Sequence, residues 1–176
     1  CIIVIISRSN VLRTKYLPCK LTASYFNVVL VKSFFKLREK ILCDIRSVMG
    51  KEDILVSDVG AHKMWISRHY NCYEPNTCLI SNGFATMGIA VPGSIAAKML
   101  YPERKVLAVT GDGGFMMNCQ EIETAVRMNV PIVVLVMRDD SYGLIKWKQD
   151  DRFGDHCFVD FTNPDFVKMA ESMHAV

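Results

Sequence analysis

Four short apolar runs recur along this chain, and each ends in a turn rich in glycine, asparagine or aspartate: DILVSDVG, TCLISNG, KVLAVTGDGG and PIVVLVMRDD. They run as continuous apolar stretches rather than alternating apolar with polar residues, as strands do when both faces are covered. The stretches between them have helical character. HKMWISRHY reads as a helix, and TMGIAVPGSIAAKML as a small-residue helix able to lie close to a sheet or a ligand. FMMNCQEIETAVRMN reads as one helix, with Phe115, Cys119, Ile122 and Val126 on a single stripe. Ahead of them, LREKILCDIRSVM is an amphipathic helix with Leu37, Ile41, Ile45 and Val48 on one face. SYGLIKWKQ is a short helix or turn. NPDFVKMAESM opens a further helix, with Asn163 as N-cap and Pro164 at its first position. Strands alternating with helices specify an α/β fold: a doubly wound, mostly parallel sheet with helices on both faces. In such a sheet ligands sit at the C-terminal ends of the strands. GDGG and RDDSYG directly follow strands, so both fall at that end.

At 176 residues the chain holds one good-sized domain. A hydrophobic share of 51% with 22% charged residues is the composition of a folded protein. The net charge of +3 is unevenly spread. Arg8, Arg13, Lys15, Lys20, Lys32, Lys36 and Arg38 precede any acidic residue, and the remaining 14 basic residues face all 18 acidic ones. The main domain therefore lacks the basic footprint of a nucleic-acid binder. Residues 1–37 have no clear period and are assigned no function, as a disordered or non-native segment; residues 38–176 form the domain. The seven cysteines are odd in number and contain no CxxC pair. They read as thiols of a reducing compartment, not as a disulfide framework or zinc site. The expected location is cytoplasmic, or organellar in a eukaryote. CIIVII and FNVVLV are too short to span a membrane. A start at Cys1 rather than Met fits a piece of a larger protein.

The chemistry concentrates in two turns. In VLAVTGDGGFMMN, Gly111, Gly113 and Gly114 let the backbone turn sharply and expose its N–H groups, and a helix follows. That is an anion site suited to phosphate. Asp112 inside it is a poor neighbour for a bare phosphate, unless a hard divalent cation bridges the two. GDGG alone is equally met in an ordinary strand–turn–helix with Asp112 as a cap. The second turn, Arg138-Asp139-Asp140-Ser141-Tyr142-Gly143, shifts that balance. Asp139 lies 27 residues after Asp112, across one helix and one strand. In a parallel sheet the two turns become neighbours, and two carboxylates with a turn carbonyl can share one octahedral cation.

The stretch from GDGG to RDDSYG resembles the thiamine-diphosphate binding motif, and SDVGAHKMWISRHYNCYEPNTCLISNGFATMGIAVPGSIAAK resembles the start of the same domain in acetolactate synthases. The resemblance covers about residues 38–176. It implies Mg2+ held by the side chains of Asp112 and Asp139 and the carbonyl of Ser141, with Gly111, Gly113, Gly114, Tyr142 and Gly143 around the diphosphate. It implies that Val59, Gly60, Ala61 and His62 touch the diphosphate from the opposite side. Ala85, Thr86 and Met87 would hold the aminopyrimidine ring, the Met87 side chain wedging under the cofactor. Tyr142, Leu144 and Trp147 would line the substrate entrance. The usual Asn-Asn ending of the motif stands here as Arg138-Asp139, a departure that alters local charge. The short GLIKW connection is similar to the catabolic, FAD-independent branch; FAD is possible in a parent enzyme but not indicated here.

The implied reaction is decarboxylation of pyruvate and carboligation to a second pyruvate, giving 2-acetolactate. The activating glutamate of this family lies on a pyrimidine-binding domain, of the same or a partner subunit, which residues 1–37 do not resemble. The chain alone is thus expected to be inactive, its parent a homo-oligomer. Alternatives are another 2-oxo-acid decarboxylase or carboligase, such as a glyoxylate, sulfoacetaldehyde or oxalyl-CoA enzyme, or a non-catalytic cofactor-binding or subunit-association module. A generic nucleotide-binding fold is disfavoured, since neither GxGxxG after a first strand nor GxxxxGK[ST] is present.

Overall fold

The computed structural model describes residues 2–7 and 37–175, with side chains from residue 39 onward. Its elements are β1 (Ile2–Ser7), α1 (Leu37–Val48), β2 (Ile54–Ser57), α2 (Ala61–His69), β3 (Cys78–Ile80), α3 (Ala90–Leu100), β4 (Val106–Gly111), α4 (Asp112–Met117), α5 (Glu121–Arg127), β5 (Val133–Arg138), α6 (Gly143–Phe153) and α7 (Phe166–Ser172). The strands form one sheet in the order β1-β5-β4-β2-β3, and every pairing in it is parallel. The doubly wound α/β fold expected from the alternating pattern is present.

The three central strands β2, β4 and β5 divide their side chains between two cores, because successive residues point to opposite faces. Ile54, Val56, Val106, Ala108, Val134 and Val136 join Val91 and Ile95 of α3, Phe115 of α4, Ile122 of α5 and Phe166 of α7. Leu55, Leu107, Val109 and Leu135 join Ile41 and Leu42 of α1 and Ile66 of α2 on the other face. This is why the strands read as unbroken apolar runs: both halves of the alternation are buried. The small-residue character of α3 has a direct use. A Cβ at Gly93 would lie 3.3 Å from Val56 Cγ1, so the helix rides close on β2.

Several boundaries differ from expectation, each for a local reason. The division expected at residue 37 runs across the sheet, since Ile2–Ser7, a β-branched run, pairs along the whole of β5. FNVVLV lies outside the described residues. The buried face of α1 is Ile41, Leu42, Ile45 and Met49; Val48 is 46% exposed, because Met49 beyond the helix end fills the core instead. The stretch 115–127 is two helices rather than one. Asn118 leaves the helical path and donates from Nδ2 to Gly88 O at 2.9 Å. The stripe survives the break: Phe115 and Ile122 are buried, with Cys119 and Val126 packed against the same cluster. α3 begins at Ala90, after an irregular stretch over residues 81–89. The cap of α7 is Asp165, whose carboxylate accepts from Val167 N and Lys168 N; Asn163 is turned inward to a different task.

Phe166 is 1% exposed and meets the Phe115 ring edge-on at 5.2 Å. Phe166→Ala should lower unfolding stability by about 3–5 kcal/mol through lost transfer and cavity terms. Urea unfolding measures this, and a loss below about 1 kcal/mol would show that the two rings do not anchor this face.

Candidate functional site

The sheet order fixes where a ligand can enter. From β2 the chain passes to β3 on one side, and from β4 it passes to β5 on the other. The connections leaving the adjacent C-terminal ends of β2 and β4 therefore diverge, opening the crevice that doubly wound sheets use for ligands. The turn after β2 is Asp58-Val59-Gly60, and the one after β4 is Gly111-Asp112-Gly113-Gly114. The glycine-rich segment is itself the first turn of α4, which starts at Asp112 and runs only six residues. Any anion held here meets local turn N–H groups rather than the end of a long helix.

Asp112 ties this turn to the next. It is 1% exposed. Its Oδ2 accepts from Asp139 N at 3.1 Å, Asp140 N at 2.7 Å and Asn163 Nδ2 at 2.6 Å, while Oδ1 accepts from Gly113 N at 3.0 Å. All four donors are neutral. Asp140 stands in the left-handed region, φ 57°, and its carboxylate accepts from Arg138 Nε and Asn163 Nδ2, both at 2.8 Å. Partial burial pushes the Asp140 carboxyl up, but the hydrogen bonds from Asn163 and Arg138 outweigh it and hold it below the usual carboxylate range. From outside, the turn is pinned by Tyr142 N donating to Val159 O at 2.8 Å and Phe161 N to Asp140 O at 3.1 Å. Asp112, Asp139 and Ser141 thus share one small region, as the spacing predicts.

The glycines there make room for neighbouring side chains. A Cβ at Gly113 would lie 2.6 Å from the Tyr142 ring, which itself packs on Phe161 with centroids 4.9 Å apart. A Cβ at Gly143 would lie 2.6 Å from Asp139 Oδ2, and one at Gly114 would lie 3.0 Å from the Asp58 carboxylate.

Asp58 is the second organiser, and sequence reasoning missed it. Also 1% exposed, it accepts from Val59 N at 2.7 Å and Gly88 N at 2.9 Å on Oδ1, and from Ala90 N at 3.2 Å on Oδ2. It thereby locks the turn after β2 to the segment carrying Ala85, Thr86 and Met87. That segment is bent: Ala85 has φ 52° and Gly88 φ 85°. A non-glycine residue in the left-handed region stores strain that its surroundings must hold. Asp58 and Asn118 supply the hold, the latter through its bond to Gly88 O. The signal for Asp58 was its position, directly before Val59-Gly60 at the end of a buried strand. Asn118 and Asn163 sat inside patterns already explained as helix and cap.

His62 faces the crevice from α2. Its Nε2 lies 3.0 Å from Asp58 O, and since a carbonyl only accepts, Nε2 carries the proton. A Cβ at Gly111 would sit 3.7 Å from the ring and one at Gly60 2.9 Å from Nδ1, so His62 bridges both turns. Leu144 and Trp147 lie on α6, which leaves the second turn directly; Trp147 is 59% exposed and α6 has no buried residue. At the opposite end of the sheet, a cavity of about 320 Å³ between the ends of α1 and α2 is lined by Cys43, Arg46 and His69. The Arg46 guanidinium is spent there on Tyr70 Oη and the carbonyls of Met49, Gly50 and Asn71.

Burial lowers the His62 imidazole from 6.5 to about 4, although Asp58 works in the opposite direction. Above pH 6.5 the ring is neutral folded or unfolded, so nothing is lost. As pH falls toward 4 the unfolded chain takes up a proton that the folded one refuses. His62 should thus remove about 3 kcal/mol of stability across that window. Denaturant unfolding of wild type and His62→Gln between pH 7 and 4.5 tests this: the slope in this window should flatten in the variant, and an unchanged slope would refute it.

Residues 58–176 match the family model described as thiamine pyrophosphate enzyme, C-terminal TPP binding domain. The chain is 40% identical to the acetolactate synthase of Bacillus subtilis (strain 168) over 136 residues, covering 77% of this chain and 24% of that protein. It is 38% identical to a probable acetolactate synthase large subunit of Methanococcus aeolicus over 141 residues, 76% of this chain and 24% of the relative. It is 37% identical to the pyruvate oxidase of Lactiplantibacillus plantarum over 136 residues, 77% of this chain and 23% of that enzyme. The chain spans about a quarter of the length of these relatives. With the crevice, the paired turns and this match across more than half its length, the chain belongs to the thiamine pyrophosphate enzymes and carries their C-terminal TPP-binding domain.

Proposed function

We propose that this chain binds thiamine diphosphate through Mg2+ at the crevice between β2 and β4, as the cofactor half of an acetolactate synthase. The observation that carries this reading is Asp112. It is a carboxylate sealed from water that, among the described residues, hydrogen-bonds to neutral donors and keeps acceptor capacity on Oδ1. A buried charge without a charged partner is costly, and a cation relieves it. The ligands proposed are all oxygen, the carboxylates of Asp112 and Asp139 and the carbonyl of Ser141, a set suited to Mg2+. The residues present therefore fit the cation.

In this reading the turns Val59–His62 and Gly111–Gly114 receive the diphosphate from two sides, and Ala85–Met87 supports the aminopyrimidine. Asp58 and Asn118 keep that support at a fixed distance from the diphosphate turn. Neutral His62 presents an acceptor, Nδ1, to the crevice without adding charge. Tyr142, Leu144 and Trp147 flank the path of the 2-oxo acid. Thiamine diphosphate, when bound, supplies the carbanion chemistry; the protein supplies geometry and a dry pocket. The substrate proposed is pyruvate, and the product 2-acetolactate. The glutamate that activates the cofactor belongs to a pyrimidine-binding domain of the same or a partner subunit, in a homo-oligomer. Exposed Phe84, Trp147 and Phe158, on segments that leave or abut the site turns, offer apolar surface for such a partner to cover. Among the described residues, no helix is long and apolar enough to cross a membrane. A second reading, pyruvate taken to a different product, is favoured by the similar identity to a pyruvate oxidase.

Calorimetric titration of thiamine diphosphate should show binding that requires Mg2+ and is lost in Asp112→Ala; retained binding in the variant would overturn the metal assignment. The chain alone should release no acetolactate from pyruvate. Turnover without any partner would show that the activating group lies within these 176 residues.

A further inference from the structure

The side chain of Asn163 stands out among buried polar groups. It is nine-tenths buried, sits three residues before the start of α7 and does not cap that helix, a task Asp165 performs. Both hydrogens of its amide are committed to carboxylates of the two site turns: Nδ2 donates to Asp112 Oδ2 at 2.6 Å and to Asp140 Oδ1 at 2.8 Å. Its Oδ1 is buried and has no hydrogen-bond partner among the described residues. Turning the amide over would satisfy neither carboxylate, because a carbonyl oxygen would then face two acceptors.

Consider what this does to Asp112. Three donors crowd its Oδ2: two backbone N–H groups of the β5 turn and the Asn163 amide. Among the described residues one, Gly113 N, addresses Oδ1. The rotamer is fixed, and Oδ1 is the oxygen with a lone pair left to offer. Asn163 also clamps Asp140, the left-handed residue between Asp139 and Ser141, against the pull of Arg138 on the same oxygen. One amide therefore sets both turns that carry the proposed cation ligands.

We propose that Asn163 is a positioning residue for the divalent cation: its amide donates to Asp112 and Asp140, presenting Asp112 Oδ1 to the ion and fixing the turn Asp139–Ser141, without itself ligating. This rests on the cofactor reading above and adds to it a residue from an element outside both turns. Partners that orient ligands commonly contribute ten- to hundredfold to metal affinity.

Mn2+ is the probe, with free ion followed by electron paramagnetic resonance as the chain is titrated in the presence of thiamine diphosphate. Asn163→Ala removes the donor. Asn163→Asp keeps the shape but turns a donor into an acceptor, and carries the test if the alanine variant does not fold. Asp165→Ala loosens the start of α7 and leaves the amide in place. Both Asn163 variants should weaken Mn2+ binding about 10- to 100-fold, and Asp165→Ala by less than about threefold. Affinity in Asn163→Asp equal to or above wild type would overturn the proposal, since the side-chain oxygen would then be a ligand. An unchanged Asn163→Ala overturns it as well, and so does an Asp165→Ala loss as large as that of Asn163→Ala, which would make the effect one of helix docking. A wild-type chain that binds no Mn2+ would instead overturn the cofactor reading, and this inference with it.

Discussion

Asp58 follows β2 and Asp112 follows β4, and each carboxylate reaches beyond its own turn to backbone N–H groups of another segment. A carboxylate buried in this way is a template. It has two oxygens, accepts several donors at once and cannot relax into water. Asp58 draws in the backbone at Gly88 and Ala90; Asp112 draws in that at Asp139 and Asp140. Parallel strands deliver these loops to the same end of the sheet, but delivery leaves them several ångströms of freedom. The two acids remove it, converting four separate connections into one surface of fixed shape.

The side-chain packing beneath that surface explains a feature that phosphate binding alone does not. A Cβ at 113, 114 or 143 would press on neighbours inside the protein: the Tyr142 ring, the Asp58 carboxylate and Asp139 Oδ2. The glycines of this turn are therefore a consequence of close internal packing as much as an adaptation to a ligand. An alanine at 113 would have to displace an aromatic ring that is wedged against Phe161.

The architecture was legible because periodicity survives burial on both faces. Runs such as KVLAV and PIVVLV leave no polar alternation, and that absence is informative. The paired turns were legible because two acids at strand ends, separated by a helical stretch and one strand, have few alternative uses. What escaped were the asparagines. Asn118 interrupts a stripe that continues correctly on both sides, so pattern alone reads through the break. Asn163 before Pro164 fits a cap so well that its inward rotamer is invisible to local rules. In both cases a long-range partner, Gly88 or Asp112, overrides a short-range preference, and sequence spacing does not reveal partners 30 or 51 residues away. Val48 illustrates the milder form: heptad-like spacing favoured it, but the next residue, Met49, won the contact.

None of the side chains of α6 is buried, and the helix is fastened at its ends: by the Tyr142 turn before it and by Lys146 and His156 pairing with Asp160 and Asp150 near and beyond it. A segment with so little packing opens at low free-energy cost, independently of the sheet. It also means that residues on its outer surface answer to almost no internal constraint. Substitutions there can accumulate and be discarded without endangering the cradle that Asp58 and Asp112 build. The packed sheet and the exposed helix thus carry unequal shares of the fold's stability, and α6 is free to vary while the cradle stays put.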